Sequence, residues 1–122
     1  MKRCLIADQS EIIRKVARHY LEKAQVEVLE ADSADAALAL ILDKGTDAVI
    51  LDWRLPGQTT IEFLSALRFG NKAKRPLIVY ATTENDPADL SRAFAAGADS
   101  YLIKPFDQKS FMETMSNAGI AA

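Results

Sequence analysis

Five short apolar runs, each followed by a segment with helical spacing, constrain the fold of this chain more than any other feature of its sequence. The runs are 3–7, 26–31, 47–52, 76–81 and 99–103, and several are rich in Val and Ile, which is typical of strands. Between them, apolar residues recur on one face of a helix. The central runs lack polar alternation, so they predict strands that are covered on both faces. The pattern predicts a doubly wound α/β domain, a five-stranded parallel sheet with five helices.

The expected helix boundaries agree with this alternation. Residues that can cap a helix N-terminus precede the helical segments, and glycines follow them. The predicted N-caps are Ser10, Ser33, Asp86 and Asp107, and the predicted stops are Gly45, Gly70, Gly97 and Gly119. We expect a single domain over residues 1–122, without a linker, a repeat or an attached output domain.

Composition and charge exclude several classes of function. A chain of 122 residues that is 49% hydrophobic suits one domain with its own core. Fifteen Lys and Arg against seventeen Asp and Glu give a net charge of −2, which argues against a nucleic-acid backbone binder or a polybasic membrane anchor. The single cysteine, Cys4, cannot form an internal disulfide, and no run is long enough to span a membrane. We therefore expect a cytoplasmic protein with no membrane partner.

Polar residues stand at the predicted carboxyl ends of four strands. Asp8 and Gln9 follow the first strand, Asp52 ends the third, and Thr82 and Lys104 follow the fourth and fifth. Ligands of open parallel sheets bind at this edge, so these side chains are expected around one crevice. Two carboxylates and a lysine suit a phosphoryl group and a hard cation such as Mg²⁺. Asp52 would be the nucleophile, Lys104 and the metal would neutralise charge, and Thr82 would donate a hydrogen bond.

Each of these residues has a simpler explanation when it is considered alone. Asp8 could help to cap the helix that begins after Ser10. A threonine or a lysine beside a strand end is ordinary. Only their joint placement at four strand ends favours a site.

Four segments of the sequence carry a resemblance to a known family. They are LIADQS around Asp8, DWRLPGQTT from Asp52, ATTEND around Thr82, and AAGADSYLIKPF, which contains Lys104. With these motifs at the family's spacing, essentially the whole chain resembles bacterial response-regulator receiver domains, most closely the CheY-like single-domain type. The resemblance implies a flavodoxin-like, CheY-like fold. It also implies a stand-alone response regulator of two-component signalling or chemotaxis, a switch rather than a metabolic enzyme.

The resemblance assigns roles to individual residues. Asp52 would accept a phosphoryl group from a sensor histidine kinase or a phosphotransfer protein, and Lys104 would contact that group. Thr82 and Tyr101 would be the switch pair, although Tyr101 judged from the residues alone could equally be a core aromatic. Their movement would change the face formed by the fourth helix, the fifth strand and the fifth helix. A flagellar motor component or a kinase would read that face, and no DNA-binding domain is implied. Pro105 stands at the family's cis-proline position.

The implied magnesium ligands are Asp8, Asp52 and the backbone carbonyl of Arg54. Gln9 stands where the family usually has a second acid that ligates the metal. Its amide oxygen can still coordinate, but one negative charge is lost, so we predict weaker magnesium binding than in a site made only of acids. Two alternatives stay open. One is a pseudo-receiver, a binding module regulated by protein or small-ligand contact; the other is a phosphatase-like α/β hydrolase, for which the sequence shows no cap domain or substrate-pocket signature.

Overall fold

Alternating strands and helices make up the part of the chain that the computed structural model describes, residues 2–57, 62–65, 76–83 and 87–120. The strands are β1 (Arg3–Ala7), β2 (Glu27–Ala31), β3 (Ala48–Asp52), β4 (Leu77–Thr82) and β5 (Ser100–Ile103). The helices are α1 (Glu11–Lys23), α2 (Ala34–Lys44), α3 (of which residues 62–65 are described), α4 (Pro87–Ala96) and α5 (Gln108–Asn117). The five predicted strands are confirmed, each within one residue at either end.

The five strands form one parallel sheet in the order β2-β1-β3-β4-β5. After β1 the chain continues towards one edge of the sheet, where β2 lies. After β3 it continues towards the opposite edge, where β4 and β5 lie. A crevice is expected between the carboxyl ends of two strands where the order reverses in this way. Asp8 and Asp52 lie at these two ends.

Two apolar clusters cover the two faces of the sheet. The cluster beneath α1 and α5 includes Cys4, Ile6, Leu21, Ala48, Ile50, Val79, Leu102, Phe111 and Met115. The cluster beneath α2, α3 and α4 includes Leu5, Ala34, Ala37, Val49, Leu51, Phe63, Ile78, Tyr80 and Ala93. Successive residues of β1, β3 and β4 alternate between the two clusters, because side chains of a strand point to opposite faces. This explains why the central runs of the sequence are apolar without interruption.

Local capping explains where the helices begin and end. The side chains of Ser10, Ser33 and Asp107 accept hydrogen bonds from backbone N–H groups three residues later, which confirms these three N-caps. Gly45 caps the end of α2 with a positive φ of 72°. The predicted boundaries at Gly70 and Asp86 lie outside the described residues.

The end of α1 has no glycine. Ala24 caps this helix, and Gln25 takes a left-handed φ of 63°, a conformation that sequence reasoning did not predict. The N–H of Val26 bonds to the carbonyl of Leu21 at 3.0 Å, which leads the chain into β2.

Candidate functional site

Asp52 is a buried carboxylate at the end of β3, a strand that is buried along its whole length. All five residues of β3 are buried, and Asp52 is only 2% exposed. Its Oδ1 accepts a bond from the backbone N–H of Arg54 at 3.3 Å, in the turn that follows the strand. Burying a charge is costly unless it is paired, so Asp52 requires a cationic partner nearby.

Lys104 supplies that cation to two carboxylates at once. Its Nζ lies 3.0 Å from Oδ1 of Asp52 and 2.6 Å from Oδ2 of Asp8. The lysine follows β5, and its backbone N–H donates to the carbonyl of Thr82 at 2.8 Å, which anchors the start of its side chain beside β4. The three charged groups predicted to surround one crevice are therefore in direct contact. The Lys104–Pro105 peptide bond is cis, as the resemblance implied.

The Asp8 carboxylate takes part both in the local turn before α1 and in the charged site. Its Oδ1 accepts the backbone N–H of Ser10 at 2.8 Å, so it helps to shape the turn that enters α1. Its Oδ2 faces Lys104, and the side chain is 3% exposed. Burial raises the pKa of Asp8 above its ordinary value, and the hydrogen bonds from Lys104 and Ser10 oppose that rise.

The expected switch residues lie on neighbouring strands. Thr82 is fully buried at the end of β4, next to the carboxylate site. Tyr101 in β5 is 44% exposed and packs edge-on against Phe94 of α4, with ring centroids 6.2 Å apart. Tyr101 is therefore not a core aromatic, and that alternative is wrong. The role of the pair as a switch stays a prediction.

The available oxygen ligands suit a hard divalent cation. Asp8 and Asp52 both contact the Lys104 ammonium, and Gln9, which directly follows Asp8, is exposed. Within the described ranges, no group of three or more His, Cys, Asp or Glu is placed to hold a metal ion. The carboxylate pair could hold Mg²⁺ with oxygen atoms from Gln9 and the Arg54 backbone, but with one acid fewer than an all-acid site. The carbonyl of Arg54 as a ligand stays a prediction.

Two residues with contacts near the site were given no role by the sequence. Arg14 of α1 donates to the backbone carbonyl of Asp8 at 2.7 Å. Tyr80, two residues before Thr82 in β4, donates its hydroxyl to Asp89 of α4 at 2.9 Å. A tyrosine within an apolar strand indicates a hydrogen-bond partner nearby, since buried hydroxyls need partners. No local pattern marks Arg14.

Comparison with known proteins agrees with this fold. The response regulator receiver domain model matches residues 4–116, and the chain belongs to this family. It is 32% identical over 105 residues to the transcriptional regulatory protein ResD of Bacillus subtilis, covering 86% of this chain. It is also 32% identical over 111 residues to the phosphate regulon transcriptional regulatory protein PhoB of Pseudomonas aeruginosa, covering 91% of this chain.

A solved structure has the same fold over nearly its whole length. The chemotaxis response regulator CheY4 of Vibrio cholerae has a TM-score of 0.91 and 32% identity, covering 97% of this chain and 98% of that one. By contrast, the chain spans only 42% of ResD and 48% of PhoB. Within the described residues, no helix has both the length and the apolar character needed to cross a membrane.

Proposed function

We propose that this receiver domain is a phosphorylation-controlled switch in which Asp52 accepts a phosphoryl group from a histidine kinase or a phosphotransfer protein. One observation carries the proposal. Asp52 is buried, yet it lies in contact with a lysine that also binds a second carboxylate, at the switch point of a parallel sheet. Such an arrangement holds an anionic nucleophile beside a fixed cation, which is what phosphoryl transfer to a carboxylate needs.

The chemistry follows from the contacts of Asp52. Its Oδ1 is occupied by Lys104 and the Arg54 N–H, and no described residue donates a hydrogen bond to Oδ2. Oδ2 is therefore the oxygen proposed to attack phosphorus, while the bond from phosphorus to the donor breaks. The Lys104 ammonium neutralises part of the charge on the transferred oxygens, and the Thr82 hydroxyl donates to the product. Mg²⁺, when bound, neutralises charge on the same oxygens.

The change is proposed to be read at the face formed by α4, β5 and α5. New acceptor oxygens on Asp52 attract the Thr82 hydroxyl, and its movement frees space for the exposed Tyr101 ring to turn inward. Tyr101 and Phe94 stand on that face, so their packing would change with it. The structural likeness to a chemotaxis regulator supports a protein target such as a flagellar motor component or a kinase. Curated relatives are transcriptional regulators, so the downstream target is left to experiment.

Incubation with acetyl phosphate and Mg²⁺, followed by intact-mass spectrometry, tests the proposal. We expect one added phosphoryl group on the wild type and none on Asp52→Asn, which keeps the size of the side chain but removes the nucleophile. A wild type that stays unmodified while it signals equally well as Asp52→Asn would favour a pseudo-receiver. That second function draws support from Gln9, which leaves the site one acid short.

Gln9 is expected to set the strength of metal binding. Replacing Gln9 with Asp adds one negative charge at the edge of the crevice, so Mg²⁺ should bind more tightly. Trp53, next to Asp52, provides a fluorescence signal for the titration. Equal affinities of the two proteins would show that the residue at position 9 does not contact the metal.

A further inference from the structure

Asp8 is held through its backbone as well as through its carboxylate. Its N–H donates to the carbonyl of Ala31 at 3.0 Å, which extends the β1–β2 pairing by one residue. Its carbonyl accepts a bond from Nη1 of Arg14 at 2.7 Å. The peptide groups on both sides of the Asp8 Cα are therefore tied to other parts of the fold. Side-chain direction depends on this backbone placement.

Arg14 is itself held in place by a carboxylate that two arginines share. Nε of Arg14 lies 3.1 Å from Oε1 of Glu30, and Nε of Arg18 lies 2.7 Å from Oε2 of the same residue. Glu30 belongs to β2 and directly precedes Ala31, the residue that pairs with the Asp8 N–H. The Arg14 side chain is only 16% exposed. Its planar guanidinium contacts both the Asp8 carbonyl and the Glu30 carboxylate, which fixes its orientation.

We propose that Arg14 is a positioning residue that aims the Asp8 carboxylate into the crevice shared with Asp52 and Lys104. Arg14 touches neither the reacting atoms nor the metal position and acts only through the backbone of Asp8. Replacing a group that orients a metal ligand typically lowers metal affinity or activity by about 10–100-fold. The metal-binding part of this inference rests on the proposed function, because it assumes that Asp8 is a magnesium ligand.

Replacing Arg14 has two consequences that would change the affinity for Mg²⁺ in opposite directions. Removing a cation near the crevice makes the surroundings more negative, which by itself would strengthen Mg²⁺ binding. Releasing the backbone of Asp8 would weaken binding, because the carboxylate then samples directions that do not face Asp52. The sign of the change therefore distinguishes a positioning residue from a nearby charge.

Calorimetric titration of Mg²⁺ into the full chain tests this sign. Arg14→Gln is expected to weaken binding about tenfold, within the range known for groups that orient metal ligands. The matched control is Arg18→Gln, which removes the same charge from the same Glu30 but has no contact with Asp8. The control should bind Mg²⁺ as the wild type does or slightly more tightly. Equal or tighter binding by Arg14→Gln would overturn the proposal.

Amide hydrogen exchange provides a readout that needs no metal. The Ser10 N–H donates to Oδ1 of Asp8, so it reports how firmly that carboxylate is held. Exchange at Ser10 should become about tenfold faster in Arg14→Gln and stay unchanged in Arg18→Gln. Arg14→Lys, which keeps the charge and can reach one of the two partners, should fall between wild type and Arg14→Gln. Equal exchange in all four proteins would overturn the inference even if the wild type binds no Mg²⁺.

Failure of the proposed function looks different from failure of this inference. A wild type that neither binds Mg²⁺ nor accepts a phosphoryl group would refute the proposed function alone, while faster exchange at Ser10 in Arg14→Gln would still support the positioning role. A wild type that is phosphorylated, with identical metal binding and exchange in the two glutamine variants, would refute the positioning role alone.

Discussion

Replacing Lys104 with methionine removes the cation that two buried carboxylates share. Each Lys104 contact, at 2.6 and 3.0 Å, has a gross attraction of roughly 6 kcal/mol at an effective dielectric constant of about 20. Most of this offsets the cost of taking three charges out of water. Removing one partner of a buried ion pair typically costs about 3–5 kcal/mol, because the remaining charge is left uncompensated. The Lys104 side chain is 10% exposed, so its charge is not fully removed from water, and we expect about 3 kcal/mol at pH 7, at the lower end of that range.

The loss of stability should depend on pH in a defined direction. Burial raises the pKa of Asp8, so the folded protein holds a proton there more readily than the unfolded chain does. The stability from this proton is present at low pH and is lost as the pH rises through the folded pKa. Without the Lys104 hydrogen bond, the pKa of Asp8 rises further. The deficit of Lys104→Met should therefore be larger at neutral pH and should shrink as the pH falls and Asp8 takes up a proton.

Urea denaturation at several pH values measures the deficit. A matched control is Lys15→Met, since Lys15 lies 2.9 Å from Glu11 but the two side chains are 69% and 66% exposed. Exposed pairs contribute little, so the control should unfold near the wild-type midpoint. Adding Asp8→Asn to Lys104→Met should restore part of the stability by removing one uncompensated charge. Equal midpoints for Lys104→Met and Lys15→Met at pH 7 would refute the reasoning.

Three further predictions concern groups outside the carboxylate site. Burial raises the pKa of the Cys4 thiol to about 12, so iodoacetamide at pH 8 should label it only as fast as the protein unfolds; rapid labelling of the native protein would contradict this. Tyr80→Phe removes the hydroxyl bond to Asp89 and should cost about 1 kcal/mol in urea denaturation, with an unchanged circular dichroism spectrum. Ser33→Ala removes the N-cap of α2 and should cost about 1 kcal/mol, whereas Ser33→Asp, which can still accept the Ala36 N–H, should stay close to wild type.

The elements of the fold were predictable because their signals are local. Periodicity of apolar residues over a few positions marked every strand, and short polar side chains marked the starts of α1, α2 and α5. The end of α1 was not predictable in the same way. Its last turn closes on Gln25 in a left-handed conformation, which usually calls for glycine or asparagine. At this position the backbone hydrogen bonds of Gln25 and Val26 outweigh the conformational preference of the Gln25 side chain.

The candidate site was partly predictable. Asp8, Asp52, Thr82 and Lys104 were found because the carboxyl ends of parallel strands converge, a rule of topology that needs no distances. The exposure of Tyr101 was not decided by its sequence context, since an aromatic residue in a short strand can face either way. Packing against Phe94 and the position of α4 place it outside the core.

The sequence by itself thus determined which residues form strands and helices, and which polar groups stand at the functional edge. Only the tertiary structure decided how those groups are paired. The contact between Lys104 and Asp8 joins residues 96 positions apart, and the contact between Arg14 of α1 and Glu30 of β2 joins residues 16 positions apart. Both contacts depend on distances across the folded sheet. Local periodicity and capping contain no information about those distances.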